Sequence, residues 1–174
     1  MIRIRMKSYK NNYLIFALCG FFFFLMSQVS SFGQPHPPRP IKVYTVQNIN
    51  FGAFCQGLSG GTVIIYPNGT RSSTGDIVQL NLGYQFYPAI FEIDVLPGTL
   101  ISILYGPDAI LTGSHGGTLT MHIGGSDPKS PFVTKVYPPS RTQVYIGGTL
   151  MVGNPSANPP GAYSGIFSVI FNQE

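Results

Sequence analysis

The side chains best suited to chemistry cluster near the middle of the chain. Ser114 and His115 are adjacent, and Asp108 lies six residues earlier. These are the residue types of a nucleophilic triad, but adjacent Ser and His side chains do not easily form the activating hydrogen bond, and no Gly-x-Ser-x-Gly turn frames Ser114. His115 could instead bind a metal with His122 or Asp127, but the spacing matches no recognised ligand set. We predict that the chain is not an enzyme and holds no cofactor or metal.

Three other sites have ordinary structural interpretations. Glu92 and Asp94 lie two apart on one strand face, as solvated strand residues do, although a carboxylate pair is the alternative. Asn68-Gly69-Thr70 matches a glycosylation sequon, but Asn-Gly is also typical of a hairpin turn with positive φ at both central residues. Cys55 is expected to be a small buried apolar residue, and the alternatives are an intermolecular disulfide or a reactive thiol.

One aromatic cluster could recognise a ligand. The sequence GYQFYP at 83–88 contains Tyr84, Phe86 and Tyr87, which could stack on a sugar or contact a protein partner. The chain has no Trp, which weakens a carbohydrate-binding interpretation. The alternative is that these rings cap one end of the fold.

The N-terminus predicts export. Four basic residues precede an apolar run from Tyr13 to Met26, and Ser31 and Gly33 supply the small residues of a cleavage site. This layout is typical of a secretory signal peptide spanning 1–33, and the run is short for a membrane helix. We expect a secreted, periplasmic or cell-surface protein without a stable membrane span after cleavage.

The charge of the chain also changes with that cleavage. The whole sequence has a net charge of +4, but residues 1–33 contain four of the ten Lys and Arg and none of the six acidic residues. Residues 34–174 therefore carry six basic and six acidic side chains. No basic excess remains that would favour nucleic acid as a partner.

Residues 34–40 and 41–174 differ in the structure they predict. The segment 34–40, QPHPPRP, contains four prolines and indicates an extended tether. Beyond it, short alternating stretches such as Ala89–Val95 are separated by Gly and Pro turns, and no helical period persists. We predict an all-β domain at 41–174, an antiparallel immunoglobulin-like β-sandwich of about eight or nine strands.

The tripeptide Gly-Gly-Thr occurs three times, starting at Gly60, Gly116 and Gly147. The unequal gaps exclude a fixed-period repeat. Glycine permits sharp entries into a sheet and β-branched threonine suits a strand, so each glycine pair is predicted to precede a strand.

The order of the motifs resembles one bacterial family, domain of unknown function 4402. The resemblance lies in INFGAFCQGLSGGTVIIYPNGTRSSTGDI (49–77), FEIDVLPGTLISI (91–103), GGTLTMHI (116–123) and VYIGGTLMVGNPSANPPGAYSGIFSVIFN (144–172). It covers about residues 41–172. It implies an exported β-rich protein of the bacterial envelope and supplies no catalytic residues.

A looser resemblance links the chain to pilin-type subunits of the spore-coat-U and chaperone–usher kinds. Gly161 is followed by a last predicted strand from Tyr163 to Phe171, whose apolar side chains, Tyr163, Phe167, Val169 and Phe171, are expected to share one side. Such subunits exchange strands, and residues 34–47, with Ile41 and Val43, could be the donor. The early cysteine pair is absent, and Gln173 stands where a tyrosine is usual. An ordinary first and last strand in a self-contained sandwich is the alternative.

Two functions follow as hypotheses. The first is an exported structural or adhesive module of a bacterial envelope, which could assemble with itself or with other envelope proteins. The second is a secreted module that recognises a glycan or protein through end loops such as 83–88 and 113–117.

Overall fold

The computed structural model describes residues 39–174, and every helix or strand assigned within this range is a β-strand. The predicted signal peptide and most of the predicted tether lie outside the described residues. The eleven strands, more than the eight or nine predicted, are β1 Lys42–Gln47, β2 Phe54–Ile65, β3 Arg71–Gln79, β4 Ala89–Asp94, β5 Leu100–Tyr105, β6 Ala109–Gly113, β7 Thr118–Asp127, β8 Phe132–Val133, β9 Thr142–Val152, β10 Tyr163–Ser164 and β11 Val169–Gln173. All their pairings are antiparallel, which confirms the predicted all-β class.

The larger sheet has eight strands and is organised around β9. Its main order is β1-β4-β9-β7-β6-β10, and β2 joins β9 on one side and β3 on the other. The first half of β9 pairs with β4 and its second half with β2. The sequence predicts that a strand begins after Gly147 and Gly148, and this prediction is wrong. Both glycines stay within one extended strand, where a Cβ on Gly147 would collide with the Ile65 carbonyl.

The smaller sheet has three strands in the order β11-β5-β8. The predicted strand Tyr163–Phe171 is in fact two strands, since β10 pairs with β6 in the larger sheet and β11 pairs with β5 in the smaller one. A Cβ on Gly165 would lie 2.6 Å from the Ile110 carbonyl oxygen, so glycine allows the chain to turn closely away from β6 there.

The two sheets enclose a single apolar core. The predicted inward residues of β4 are buried, as are those of β7, Leu119, Met121 and Ile123. Phe91 of β4 meets Phe171 of β11 with ring centres 5.5 Å apart and planes tilted by 60°, so the sheets pack face to face as a sandwich. Each such buried side chain contributes roughly 1.5–3 kcal/mol to folding.

The β2–β3 hairpin differs from its predicted turn. Only Gly69 has positive φ, at 81°, and Asn68 does not. The Gly69 amide donates to the Tyr66 carbonyl and the Tyr66 amide to the Thr70 carbonyl, both at 2.9 Å. The connection is therefore a three-residue loop closed by a left-handed glycine rather than a two-residue turn.

The Gly-Gly-Thr tripeptides were predicted to precede strands, and only the second does so. Gly60-Gly61 lies inside β2, beside an irregularity in the β2–β3 register. Gly60 has φ of 65°, and a Cβ there would collide with the Val152 carbonyl. Glycine at this position permits a bulge against a closely packed neighbouring strand.

Candidate functional site

The inner face of β1 is uncovered, although the same face of its neighbour is buried. Val43 pairs with Ile93, and Thr45 with Phe91, and residues directly opposite each other share a face. Ile93 is 1% exposed and Phe91 is buried, whereas Val43 is 41% exposed and Thr45 is also exposed. The smaller sheet therefore covers β4, and within residues 39–174 no strand lies opposite β1.

The strand β11 lies at one side of the smaller sheet, and one of its two edges is free. The Gly106 amide donates to the Ser168 carbonyl at 2.9 Å, and the Glu174 amide to the Leu100 carbonyl at 3.1 Å, so even-numbered residues of β11 bond toward β5. The amides and carbonyls of Val169, Phe171 and Gln173 point the other way. Within residues 39–174 no strand pairs with that edge.

These two features adjoin one another. Phe171 of β11 contacts Phe91, whose pairing partner on β1 is Thr45. Thr45 and Val169 also line one cavity. We define the open groove as the space bounded by Thr45 of β1 and by the free edge of β11 at Val169.

The cavity at the open groove has a volume of about 1140 Å³. This slightly exceeds the usual range of about 300–1,000 Å³ for small-molecule pockets. Its floor is the inner face of the larger sheet, with Phe91, Leu111, Leu119, Met121 and Leu150. Its walls are backbone-rich segments, 48–56 on one side and 155–169 on the other.

The wall at 155–169 is held by a buried asparagine. The Asn158 side chain accepts a hydrogen bond from the Gly153 amide at 2.6 Å and donates one to the Thr118 carbonyl. The backbone carbonyl of Asn158 accepts a hydrogen bond from the Gln56 side chain at 2.6 Å. Asn158 is buried and lines the cavity. Such a fully bonded buried amide fixes the position of the wall.

Two of the side chains considered for a catalytic triad, Ser114 and His115, contact the same wall. Ser114 accepts from the Ala162 amide at 3.1 Å, and His115 Nδ1 lies 2.9 Å from the Pro160 carbonyl oxygen and 3.3 Å from Ser114 Oγ. The carboxylate of Asp108 instead lies 2.8 Å from Nδ1 of His122. The structure thus does not assemble the imagined triad.

One sequence pattern was missed in the search for a nucleophile. Residues 57–61 spell Gly-x-Ser-x-Gly, but they lie inside β2 rather than at a strand-to-helix turn. The Ser59 amide lies 3.4 Å from an Asp76 carboxylate oxygen, and in the described part of the chain no histidine hydrogen-bonds to Ser59. In the same range, no group of three His, Cys, Asp or Glu side chains could hold a metal.

The three aromatic residues predicted as a ligand surface have different contacts. Phe86 lies under the guanidinium of Arg71, 4.4 Å from ring centre to Cζ. Tyr87 is fixed by two backbone hydrogen bonds of 2.9 Å with Asn50. Only Tyr84, 70% exposed, presents its ring to solvent at the cavity.

Arg71 is a residue whose role sequence analysis missed. Its Nη1 donates to the carbonyls of Phe51 and Ala53 at 3.0 and 3.1 Å, and its Nε donates to Gln79 at 3.1 Å. Partial burial lowers the pKa of the Arg71 guanidinium. Because Phe51 and Ala53 lie in the wall at 48–56, Arg71 fixes that wall. The only sequence signal for this role is that Arg71 is an isolated basic residue in a polar strand.

Cys55 is exposed in β2 and lies on the cavity lining, so the prediction of a buried apolar residue was wrong. It pairs with Val78 of β3, which is also exposed, at a point where β2 has left β9. At Cys55, β2 is therefore paired with β3 alone, and the thiol is left exposed.

The carboxylates of β4 lie on the outer face. Glu92 accepts hydrogen bonds from Arg141 at 3.0 Å and from Gln143 at 3.3 Å. These two bonds, the one from Arg141 above all, lower the pKa of Glu92. Arg141 also lies over the Tyr44 ring, 3.9 Å from its centre, so this cluster fastens the outer face of β1 to β4 and β9.

The residues predicted for strand exchange are divided by the structure. Val43 is exposed on β1, and Ile41 packs partly against the core. Val169 and Phe171 form the free edge of β11. Tyr163 belongs to β10, and Phe167 lies in the connection between β10 and β11, although both side chains pack toward the core as predicted.

Comparison with known proteins identifies a family. A family model described as Domain of unknown function (DUF4402) matches residues 41–172, as the motifs had predicted. No curated protein and no solved structure matches the sequence. Among residues 39–174 there is no helix long and apolar enough to cross a membrane.

Proposed function

Because the chain belongs to the DUF4402 family, whose function is unknown, we propose from its structure that it is an exported, non-enzymatic structural or adhesive module of a bacterial envelope. It assembles by accepting a β-strand in the open groove. The observation that carries this proposal is the edge of β11 that no strand within residues 39–174 pairs with, at the cavity lined by Val169 and Thr45. A strand added to an exposed sheet edge gains backbone hydrogen bonds and buries alternate side chains.

Backbone hydrogen bonds would contribute to such an addition. The free edge of β11 offers the amides and carbonyls of three residues, hence up to six hydrogen bonds. Each contributes roughly 0.5–1.5 kcal/mol net. These bonds offset part of the cost of fixing a partner strand.

Features of the edge strand itself support assembly rather than isolation. Soluble proteins commonly protect edge strands with Lys, Pro or a bulge. The β11 sequence VIFNQ contains no Lys or Pro, and its register with β5 is regular. The predicted signal peptide provides the route to the envelope.

Site-specific photo-crosslinking tests this function. A photoreactive residue replaces Ile170, which is 51% exposed on β11, in the full chain produced in an exporting bacterial host. A matched control carries it at Ile110, which is 57% exposed on the larger sheet. We expect cross-linked species from position 170 and none from position 110. Absence of cross-links at 170 in folded, exported protein would overturn the proposal.

A second candidate function is retained for one observation, the exposed ring of Tyr84 at the cavity. A module that recognises a glycan or protein through the loop 83–88 would use this ring. Retention of the protein on immobilised polysaccharides, compared between wild type and Tyr84→Ala, tests it. Equal retention of the two proteins would exclude this function.

A further inference from the structure

We infer that the outer face of the smaller sheet is a docking surface for the same face of a second copy of this chain. The two small sheets pack face to face across a two-fold axis that runs parallel to β5. Such a contact is isologous, because both copies use the same surface. The inference goes beyond the proposed strand addition, since it uses the face of β11 that points away from the core.

The central strand of the smaller sheet is apolar on both faces. Ile101 and Ile103 of β5 pack toward the core, while Leu100 and Leu104 point outward with only Ser102 between them. An antiparallel sheet with one face in water normally alternates apolar and polar side chains, and strands covered on both faces read as nearly continuous apolar runs. The sequence of β5, LISILY, is therefore typical of a strand that is covered on both sides.

The outward apolar side chains of the three strands form one patch. Leu104 pairs with Ile170 of β11, and Leu100 pairs with Val133 of β8, so each pair shares the outer face. Leu104, Ile170 and Val133 are 57%, 51% and 49% exposed, and thus nothing within residues 39–174 covers them fully. A contiguous exposed apolar patch on a soluble protein marks an interaction site.

The charges around the patch favour a second copy as its occupant. The six basic and six acidic side chains of residues 39–174 all lie outside the three strands. Two exposed lysines flank β8, Lys129 before it and Lys135 after it, whereas the exposed Glu174 directly follows β11. Since β8 and β11 are the two edges of the sheet, the patch has cations at one edge and an anion at the other. A surface of this kind is complementary to itself.

The same charges select the axis. A two-fold axis parallel to β5 places β8 of one copy over β11 of the other, so each lysine edge meets a Glu174 edge. An axis in the plane of the sheet but perpendicular to the strands places β8 over β8 and brings the lysines of both copies together, which is unfavourable.

The alignment of the edges brings the opposite charges within reach. The Glu174 amide bonds to the Leu100 carbonyl at 3.1 Å, and Val133 pairs with Leu100 from the other side. Lys135 lies two residues beyond Val133, about 7 Å along the strand direction. Packed sheets are about 10 Å apart, a gap that the long side chains of Lys135 and Glu174 can bridge between copies.

The size of the patch determines the expected strength of the contact. Three strands about 4.8 Å apart and about five residues long span roughly 10 Å by 17 Å between backbones. Such a contact lies at the low end of specific interfaces, which bury about 1,200–2,000 Å² in total. We therefore expect a reversible dimer that dissociates on dilution.

Charge substitution at Leu104 tests the inference. Because the axis runs along β5, Leu104 of one copy lies beside Leu104 of the other. Leu104→Lys and Leu104→Glu should each weaken the dimer by roughly tenfold or more, since like charges meet, and an equal mixture of the two variants should restore it. Ile110→Lys, at an equally exposed position on the larger sheet, is the matched control and should dimerise like wild type.

The measurement is sedimentation equilibrium over a range of concentrations on protein purified from an exporting host. A reductant is present throughout, so that disulfides of the exposed Cys55 do not contribute. Circular dichroism confirms that each variant is folded. A wild-type protein that stays monomeric at every concentration, or a dimer that Leu104→Lys leaves unchanged, would overturn the inference.

Reversal of the edge charges gives an independent result. Lys135→Glu and Glu174→Lys should each weaken the dimer, and the two together should restore most of it, because the exchanged pair again has opposite charges. Added salt should weaken the wild-type dimer, since these charges are exposed. A double variant no stronger than either single variant would refute the arrangement about this axis.

The position-170 cross-linking experiment separates this inference from the proposed strand addition. A strand added at the free edge of β11 lies two strands, about 10 Å, from β5, so Leu104→Lys blocks the face-to-face contact without touching that strand. Cross-links at position 170 that persist in Leu104→Lys come from strand addition. If they occur in wild type and are lost in Leu104→Lys, the face-to-face contact stands and strand addition fails.

Discussion

Val43 and Ile93 face each other across the β1–β4 pair and point to the same side of the sheet, yet they differ in exposure from 41% to 1%. Neighbouring residues on one face of a sheet normally share a cover. The difference arises because the smaller sheet ends at β11, above β4.

The first prediction concerns the stability of these two positions. Ile93→Ala should lower the free energy of unfolding by about 2–5 kcal/mol, since it opens a cavity in the core. Val43→Ala should cost less than about 1 kcal/mol in the monomer, since its side chain is half in water. Urea unfolding at a concentration that keeps the protein monomeric measures both. Equal losses would mean that β1 is covered in the monomer.

The second prediction concerns Arg71 and Phe86. Arg71→Gln should lower the free energy of unfolding by roughly 1.5–3 kcal/mol, because it removes charge-assisted bonds to two carbonyls of the wall at 48–56. Phe86→Ala should also destabilise the fold, whereas Tyr84→Ala should not. Thermal unfolding of the three variants distinguishes a structural ring from a free one. A stable Phe86→Ala protein would restore the predicted aromatic surface.

The third prediction concerns the cavity wall at Asn158. Asn158→Ala should cost about 1–3 kcal/mol, because the Gly153 amide and the Thr118 carbonyl lose their buried partner. Amide hydrogen exchange should quicken at Gly153. Asn172→Ala, an exposed asparagine of β11, is the control and should leave exchange there unchanged. Unaltered exchange in Asn158→Ala would contradict the role given to this side chain.

The fourth prediction concerns pH. Hydrogen bonds from Arg141 and Gln143 hold the pKa of Glu92 below its ordinary value of 4.5. A depressed folded-state pKa means that the stabilisation is complete above the ordinary value and is lost as pH falls through the folded value. Glu92→Gln should therefore lose less stability than wild type between about pH 7 and pH 3. Urea unfolding across that range checks this, with Glu174→Gln as control, and parallel wild-type and Glu92→Gln curves would refute it.

The fifth prediction concerns Cys55. Its thiol is exposed in the folded chain, so a maleimide reagent should modify native protein to one equivalent without denaturant. Cys55→Ser provides the blank. Mass spectrometry of the native reaction decides the outcome. Modification only after unfolding would return Cys55 to the buried role first predicted for it.

The sequence by itself determined the class of the fold and the facing of its central strands. Alternation along β4 and β7 requires one apolar and one polar face, because successive side chains of a strand point to opposite sides. The ordered motifs also determined the family. These are local signals, and each depends on residues close together in the chain.

Only the tertiary structure decided where strands stop and which edge stays open. Gly147 reads as a break in the sequence, but in β9 it is extended and packed beside Ile65. Gly165 carries no stronger signal, yet the chain changes sheets there. Whether a glycine bends a strand or lets a neighbour approach depends on what packs against it, which its own position in the sequence does not specify.

In the candidate site, too, some features follow from neighbouring residues in the chain and others from pairings between distant strands. Val43 and Val169 were singled out for apolar alternation, which is local. That Val43 lacks a cover and that β11 has a free edge depend on pairings between β1 and β4 and between β11 and β5, across long separations in the chain. Such pairings are set by the packing of the whole sandwich, so the open groove became visible only when both sheets were in place.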